Sequence, residues 1–237
     1  MPAAMRSLGG VLMAVLALAA AAAVSGAAMM ESCKAAAAAS KEAKYVKMLA
    51  DAKAIEDEVI ALRRELHRRP ATMYEEYEAQ ELVMSTLSGL GIESTKIAIT
   101  GVVADLGADA SNSPSPQIVV LRADMDALPI HEQTDVPFRS EIDGVMHACG
   151  HDTHTAMLLG AAKLLKPFEA QLADEGKTVR FAFQPGEEGG AGGKRMIEEG
   201  LLVGANAAFA LHTKSSSPVG LIIGKEGFSS ASTQVRS

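Results

Sequence analysis

Apolar strand patterns alternate with helical patterns in the second half of the chain, and this alternation constrains the fold more than any other feature. Strand, helix, strand, helix and strand follow one another at Gln117–Leu121, Thr155–Leu165, Thr178–Phe183, Lys194–Glu199 and Ala207–Leu211. Such an alternation is typical of a sheet whose strands run largely parallel and are covered by helices. The sequence therefore predicts an α/β sandwich in which helices flank a largely parallel or mixed sheet.

The residues before this alternation predict two amphipathic helices and two short strands. Apolar residues recur at helical spacing over Ile55–Leu66 until Arg69-Pro70 ends the run, and a second helix is predicted over Glu75–Leu90. Lys96–Leu106 has the pattern of two short strands separated by a Thr-Gly pair. A loop rich in Ser and Pro, Asn112–Pro116, then leads into the first strand of the alternation.

The N-terminal residues predict a secretory signal peptide. Arg6 precedes an Ala/Leu/Val run at Leu8–Val24, and small residues follow as far as Ala28. A basic start, an apolar middle and a small-residue exit are typical of a cleaved signal, which we place at residues 1–27. The alternative is a single membrane anchor, for which the run is short and rich in weakly inserting Ala. After signal cleavage we expect no stable membrane span, and the Ala-rich residues 28–54 predict a low-complexity linker.

Charge and cysteine content argue against two classes of protein, the nucleic-acid-binding proteins and the disulfide-rich domains. The net charge is −7, and Lys and Arg do not form blocks, which argues against nucleic acid as a partner. The two cysteines, Cys33 and Cys149, do not make a disulfide framework.

Polar side chains follow each strand of the alternation directly. Asp124 comes after the first strand, Glu187 and Glu188 come after the second in a Gly-rich loop, and His212 comes after the third. Adjacent glutamates in such a loop are commonly no more than solvated charge. Because ligands bind beyond the carboxyl ends of the strands in sheets of this kind, we expect these side chains to lie together.

A Cys-Gly-His turn, Cys149–His151, precedes the first helix of the alternation and could join this edge. A thiolate and an imidazole two residues apart suit a metal of the zinc, manganese or cobalt type, although the same pattern also fits a buried cysteine beside loop histidines. Glu188 and His212 would add oxygen and nitrogen ligands, which leaves Glu187 free to accept a proton from water. The sequence thus predicts a metal-dependent hydrolytic site.

Two further polar residues are predicted to act through hydrogen bonds. Asp124 would bond to a metal ligand and fix its orientation. His67, on the first predicted helix, would lie at the surface or support a ligand, and a ligand role is the less favoured alternative.

Four long motifs together resemble the metal-dependent aminoacylase/carboxypeptidase amidohydrolases, and most closely the plant hydrolases of IAA-amino-acid conjugates. The resemblance covers residues 55–232. The motifs are Arg122-Ala-Asp-Met-Asp-Ala-Leu-Pro129, Gly144-Val-Met-His-Ala-Cys-Gly-His-Asp152, Phe183-Gln-Pro-Gly-Glu-Glu-Gly-Gly190 and Leu211-His212.

This resemblance implies a zinc-peptidase-like catalytic domain that binds two divalent metal ions, commonly Mn²⁺, with Zn²⁺ or Co²⁺ as alternatives. It implies that Glu187 is the general base and that the substrate is a small N-acyl amino acid cleaved at its amide, with release of auxin. It also implies the endoplasmic reticulum lumen as the location and a dimer in full-length relatives. The implied metal ligands are Cys149, His151, Glu188 and His212.

The chain departs from the family pattern at Gly186, in a shortened segment around Arg69-Pro70-Ala71, in the residues after His212, and at its end. Gly186 stands where these proteins commonly carry Ala. The sequence stops at Ser237, soon after a hairpin-like stretch at residues 219–228. Family members continue into a satellite domain that supplies further histidines. Residues 234–237 do not form a retention signal. We therefore expect residues 55–237 to be the N-terminal part of the catalytic domain. The alternatives are an inactive truncated chain with residual metal binding and an aminoacylase of another acyl specificity.

Overall fold

The computed structural model describes residues 31–109, 117–218 and 220–223. The predicted signal peptide at 1–27, the loop at 112–116 and most of the hairpin-like stretch at 219–228 lie outside the described residues. The helices are α1 (Glu31–Ala54), α2 (Glu56–Arg68), α3 (Tyr77–Gly89), α4 (His151–Leu165), α5 (Glu169–Asp174) and α6 (Gly192–Glu198), with a 3₁₀ turn at Lys166–Phe168. The strands are β1 (Ser94–Ile97), β2 (Gly101–Gly107), β3 (Gln117–Asp124), β4 (Lys177–Gln184) and β5 (Ala205–Ala210).

The strands form a mixed sheet in the order β1-β2-β4-β3-β5. Strand β3 pairs in parallel with both β4 and β5, while β2 pairs antiparallel with β4 and with β1. The predicted mixed sheet flanked by helices is therefore confirmed, and the strand pair expected at Lys96–Leu106 is its antiparallel part. Asp124 lies opposite Gln184, and Ala210 lies opposite Arg122. The residues that follow the three parallel strands consequently meet at one edge of the sheet.

Both faces of β3 are buried, which explains its continuous apolar pattern. Leu121 and Ala123 belong to the larger core cluster, which includes much of α4. Ile118 and Val120 face the other way and pack in a second cluster with Met196 of α6. The sheet is thus covered on both sides, and α4 is buried along most of its length.

The ends of α2 follow from its sequence. Three acidic residues, Glu56, Asp57 and Glu58, occupy its first turn, where carboxylates interact favourably with the positive end of the helix dipole. The helix ends shortly before Pro70, since proline disfavours helical geometry in the residue before it.

The structure describes most of the segment predicted as a low-complexity linker, residues 28–54. It is helical from Glu31 to Ala54, and the last turn packs on the domain, because Ala52 is buried in the larger core cluster. Val46 and Leu49 of the same helix are exposed. Within the described residues no helix combines the length and apolar character needed to span a membrane.

Candidate metal centre

The sharp turn before α4 places the Cys-Gly-His segment at the sheet edge. Gly150 has a φ of +91°, and a Cβ at this position would lie 2.4 Å from Oγ1 of Thr213. Only glycine adopts this geometry without strain and also allows the segment after β5 to come so close. Cys149 is therefore brought beside His212, and His151 becomes the first residue of α4.

The five side chains predicted as ligands or base meet around His151. The Cys149 Sγ lies 3.4 Å from Nε2 of His212, and ligand atoms of Cys149, His151 and His212 all lie within 4.8 Å of one another. On the other side, Nε2 of His151 is 3.9 Å from Oε2 of Glu187 and 3.8 Å from Oε1 of Glu188. Residues from three separate parts of the chain thus converge, as the sequence predicts.

Asp126 fixes the orientation of His151. Nδ1 of the imidazole lies 2.8 Å from the Asp126 carbonyl oxygen and 3.3 Å from its carboxylate Oδ1. The other carboxylate oxygen of Asp126 accepts the backbone N–H of Glu188 at 2.9 Å. One buried residue therefore holds the imidazole through its backbone carbonyl and holds the loop with the two glutamates through its carboxylate.

The donor set fits a bound cation. Nε2 of His151 is fully buried and has no hydrogen-bond partner within the described part of the chain, although it faces the carboxylate of Asp124 at 3.6 Å as well as those of the two glutamates. A nitrogen lone pair surrounded by carboxylates is satisfied when a divalent metal lies between them. Burial, the hydrogen bond to Glu188 and the surrounding negative charge raise the pKa of the Cys149 thiol to about 12, so positive charge is needed before this sulfur can act as a thiolate.

Asp124 has a different role from the one we predicted. Its Oδ1 accepts a hydrogen bond from Nδ1 of His154 at 2.6 Å, and its Oδ2 pairs with the Arg122 guanidinium at 2.7 Å. Although burial opposes it, these two partners hold the pKa of Asp124 well below its usual range. Asp126, rather than Asp124, orients the imidazole of His151, because the chain turns after the end of β3 and presents Asp126 to Nδ1.

His154 joins the centre to the segment after β5. It donates from Nδ1 to Asp124, and its Nε2 accepts the backbone N–H of Thr213 at 2.9 Å. Both ring nitrogens are therefore used by the protein. Although Asp124, His151 and His154 also come close enough to hold an ion, this bonding makes His154 a support for the centre rather than a ligand.

A second buried network lies on the other side of α4. His67 donates from Nδ1 to the Asp152 carboxylate at 2.8 Å, and its Nε2 lies 3.2 Å from Glu132. The Arg63 guanidinium pairs with Asp152 at 2.7 Å. Although burial opposes it, the bond to His67 and nearby positive charge lower the pKa of Asp152 to about 2. His67 is thus buried and supports the residue next to His151, and the surface alternative is wrong.

Sequence reasoning missed several of these residues. Asp126 stands inside the first motif, and His154 lies two residues beyond the second. His154 follows His151 by three residues on the same helix, which was a usable signal. The partners of His67 are separated from it by long stretches of chain, and no local sequence pattern predicts these contacts.

Comparison with known proteins identifies the relatives of this chain. Residues 120–227 match the family model described as peptidase family M20/M25/M40. Thermostable carboxypeptidase 2 of Saccharolobus solfataricus is 46% identical over 183 residues, which are 76% of this chain and 45% of that protein. IAA-amino acid hydrolase ILR1-like 5 of Arabidopsis thaliana is 44% identical over 172 residues, 72% of this chain and 38% of that protein.

A deacetylase and a solved structure complete the comparison. N-acetylcysteine deacetylase of Bacillus subtilis is 42% identical over 177 residues, 74% of this chain and 45% of that protein. The crystal structure of the Bacillus subtilis YXEP protein, described as a dinuclear metal binding peptidase from the M20 family, superposes with a TM-score of 0.62 at 42% identity, covering 69% of this chain and 45% of that one. The chain spans less than half the length of each of these relatives.

Proposed function

Because the chain belongs to peptidase family M20/M25/M40, we propose that it is a metal-dependent amidohydrolase that cleaves small N-acyl amino acids. The observation that carries the proposal is the convergence of sulfur, nitrogen and oxygen donors around the unpartnered Nε2 of His151. The names of its relatives, a carboxypeptidase, a conjugate hydrolase and a deacetylase, share the hydrolysis of an amide bond.

Two divalent cations would be held by the four predicted ligands. Thiolate, imidazole and carboxylate together suit Mn²⁺, Zn²⁺ or Co²⁺ better than Ca²⁺, and we propose Mn²⁺. Such ions supply Lewis acidity that polarises a substrate carbonyl and lowers the pKa of a water molecule. The ligands are Cys149, His151, Glu188 and His212.

Glu187 is the residue that we propose as the general base. Its side chain is exposed toward the site, and its carboxylate lies 3.9 Å from Nε2 of His151. Because Glu188 faces the same imidazole at 3.8 Å, one glutamate can act as a ligand while its neighbour takes a proton from the attacking water. The same carboxyl can then return that proton to the leaving amine nitrogen, which restores the starting state.

Conjugates of indole-acetic acid with amino acids are the substrates that we propose. The similarity to the Arabidopsis hydrolase supports this choice, and the deacetylase and carboxypeptidase relatives define the alternatives. The full chain should therefore be purified with Mn²⁺ and assayed on indole-acetyl-alanine, N-acetylcysteine and an N-blocked peptide.

Two glutamate variants make the test specific. Glu187→Gln is expected to lower kcat about 10²- to 10⁴-fold, the usual contribution of a general base. Glu198→Gln is the matched control, since it makes the same change at an exposed residue of α6 that pairs with Lys194 at 3.7 Å. Equal rates for the two variants on every substrate would refute the assignment, and no turnover by the unaltered chain would favour the inactive alternative.

We also propose that the protein enters the secretory pathway and acts in the lumen of the endoplasmic reticulum. Support comes from the basic, apolar and small-residue order of residues 1–27. N-terminal sequencing of the secreted or microsomal protein tests this, because an intact Met1 on a soluble product would contradict it.

A further inference from the structure

The loop between β4 and α6 carries the proposed base and a proposed ligand. The side chain of Glu187 is exposed and that of Glu188 is only half-buried, so neither side chain can hold the loop in place by its own packing. On one side of this loop, the Asp126 carboxylate accepts the backbone N–H of Glu188. The loop is also held from the opposite side, by residues just before α3.

Glu76 is a fully buried carboxylate that reaches this loop. Its Oε1 accepts the backbone N–H of Gly186 at 2.9 Å, and its Oε2 accepts the hydroxyl hydrogen bond of Thr100 in the turn between β1 and β2. Burial raises the pKa of Glu76, and the hydrogen bonds act against this effect. A buried carboxylate is unfavourable unless its hydrogen bonds are made, so its place here indicates a requirement for these bonds.

Tyr74 holds the other end of the same loop. Its hydroxyl donates to the carbonyl oxygen of Gly190 at 2.5 Å. Its ring lies so close that a Cβ would meet it at 3.2 Å on Gly186 and at 2.9 Å on Gly190. Tyr74 also has a φ of +63°, an uncommon value for a non-glycine residue that persists where surrounding contacts impose it.

We propose that Glu76, assisted by Tyr74, positions the loop and thereby sets metal affinity and turnover. Gly186 immediately precedes Glu187, and Gly190 follows two residues after Glu188, so the two anchors enclose both functional glutamates. The inference rests on the proposed function of those glutamates. Glu76 is a positioning residue, because it touches the loop and not the reacting atoms.

The size of the effect follows from the loss of one anchor. Glu76→Ala leaves the Gly186 N–H without its acceptor, and a displacement of about 1 Å at a reacting group can lower the rate about 10²-fold. Loss of a group that orients metal ligands commonly lowers metal affinity about 10- to 100-fold. We expect kcat and metal affinity to fall within these ranges, while KM changes little.

The experiment compares Glu76→Ala with Glu76→Gln and with Gln80→Ala in the full chain. Gln80 lies one turn further along α3, is 2% exposed, and its amide donates to the carbonyl oxygens of Ile99 and Gly101 at 3.1 and 3.2 Å. It therefore controls for the loss of a buried polar contact outside the loop. Three quantities are measured: hydrogen exchange of the peptide covering residues 184–192 in metal-free protein, Co²⁺ affinity by titration, and kcat and KM with Mn²⁺.

Glu76→Ala should speed hydrogen exchange in this peptide about tenfold or more and should lower Co²⁺ affinity. The amide of Glu76→Gln can still accept from the Gly186 N–H and donate to the Thr100 hydroxyl. Both quantities should therefore stay within about threefold of those of the unaltered chain. Gln80→Ala should leave all three quantities near their original values. The proposal is wrong if Glu76→Ala and Gln80→Ala behave alike.

Two provisions keep the test decisive. If Glu76→Ala does not fold, Tyr74→Phe replaces it, and removal of its single bond to Gly190 should lower Co²⁺ affinity about fivefold; an unchanged affinity would then refute the proposal. If the unaltered chain binds Co²⁺ but hydrolyses nothing, the proposed reaction fails, while exchange and affinity still decide whether Glu76 positions the loop.

Discussion

The burial of His147 predicts that acid lowers the free energy of unfolding of this protein, because a buried histidine is more stable in its neutral form. It is 5% exposed, and its Nδ1 has no hydrogen-bond partner among the described residues. Burial is the main reason that the pKa of His147 is lowered from 6.5 to about 4. Asp152 and Asp126 favour its protonation, whereas His67 and His151 oppose it.

The direction of the pH effect follows from where the proton binds. Between pH 6.5 and about 4 the unfolded chain protonates this histidine and the folded chain does not, so acid favours unfolding in that window. Above pH 6.5 the contribution of His147 to folding is complete, and it is lost as the pH falls towards 4. The two pKa values give a loss of about 2 kcal/mol at pH 5 and about 3 kcal/mol at pH 4.

Urea unfolding of metal-free protein between pH 7.5 and pH 4 measures this loss. His147→Gln removes the titrating group, so the free energy of unfolding of the variant should fall less with acid, and the difference from the original chain should change by about 2 kcal/mol between pH 7.5 and pH 5. His131→Gln is the control, because His131 is exposed and its pair with Asp143 at 2.8 Å lies in solvent, where ion pairs contribute at most about 1 kcal/mol. A difference that stays constant with pH would refute the reasoning.

Two further changes test the metal centre. Asp126→Ala should lower Mn²⁺ affinity about 10- to 100-fold in calorimetric titration, because it removes the oxygen that faces Nδ1 of His151 and the oxygen that accepts the Glu188 N–H. An unaltered affinity would show that neither side-chain contact matters for binding. Gly150→Ala should lower the free energy of unfolding by about 1–3 kcal/mol, since φ is +91° and the new Cβ would lie 2.4 Å from Thr213. Gly144→Ala is the control, because φ is +75° there and the space around it is open. It should show the cost of the backbone conformation without the steric clash.

The sequence predicted the parallel part of the fold because each of its elements has a local signal. Buried strands such as Gln117–Leu121 are continuous apolar runs, and the helices between them carry helical periodicity. The antiparallel pairing of β2 with β4 has no such signal, since it joins strands far apart in the chain. The position of β3 between β4 and β5 likewise depends on how the helices cross the sheet.

The site was predictable to the level of which residues meet, but not of which atoms bond. Asp124 and Asp126 are both buried acids at the end of the same strand. Which of them orients His151 depends on a turn of the backbone that has no signal in the local sequence. His67 and Asp152 are 85 residues apart, so their bond depends on α2 packing against α4. Long-range contacts of this kind are tertiary consequences, which local patterns do not contain.

The balance of charge explains why these residues form a cation site rather than a buried ion-pair network. Asp124 already has Arg122 as a partner at 2.7 Å. Glu187 and Glu188, in contrast, lie near His151, and within the described residues neither glutamate forms an ion pair with a Lys or an Arg. Carboxylates gathered in a partly buried place repel one another unless a positive charge separates them. On the other side of α4, Arg63 supplies that charge to Asp152. The two networks beside α4 therefore differ in the source of their positive charge. The network around Asp152 contains Arg63, whereas the one around His151 requires cations from solution.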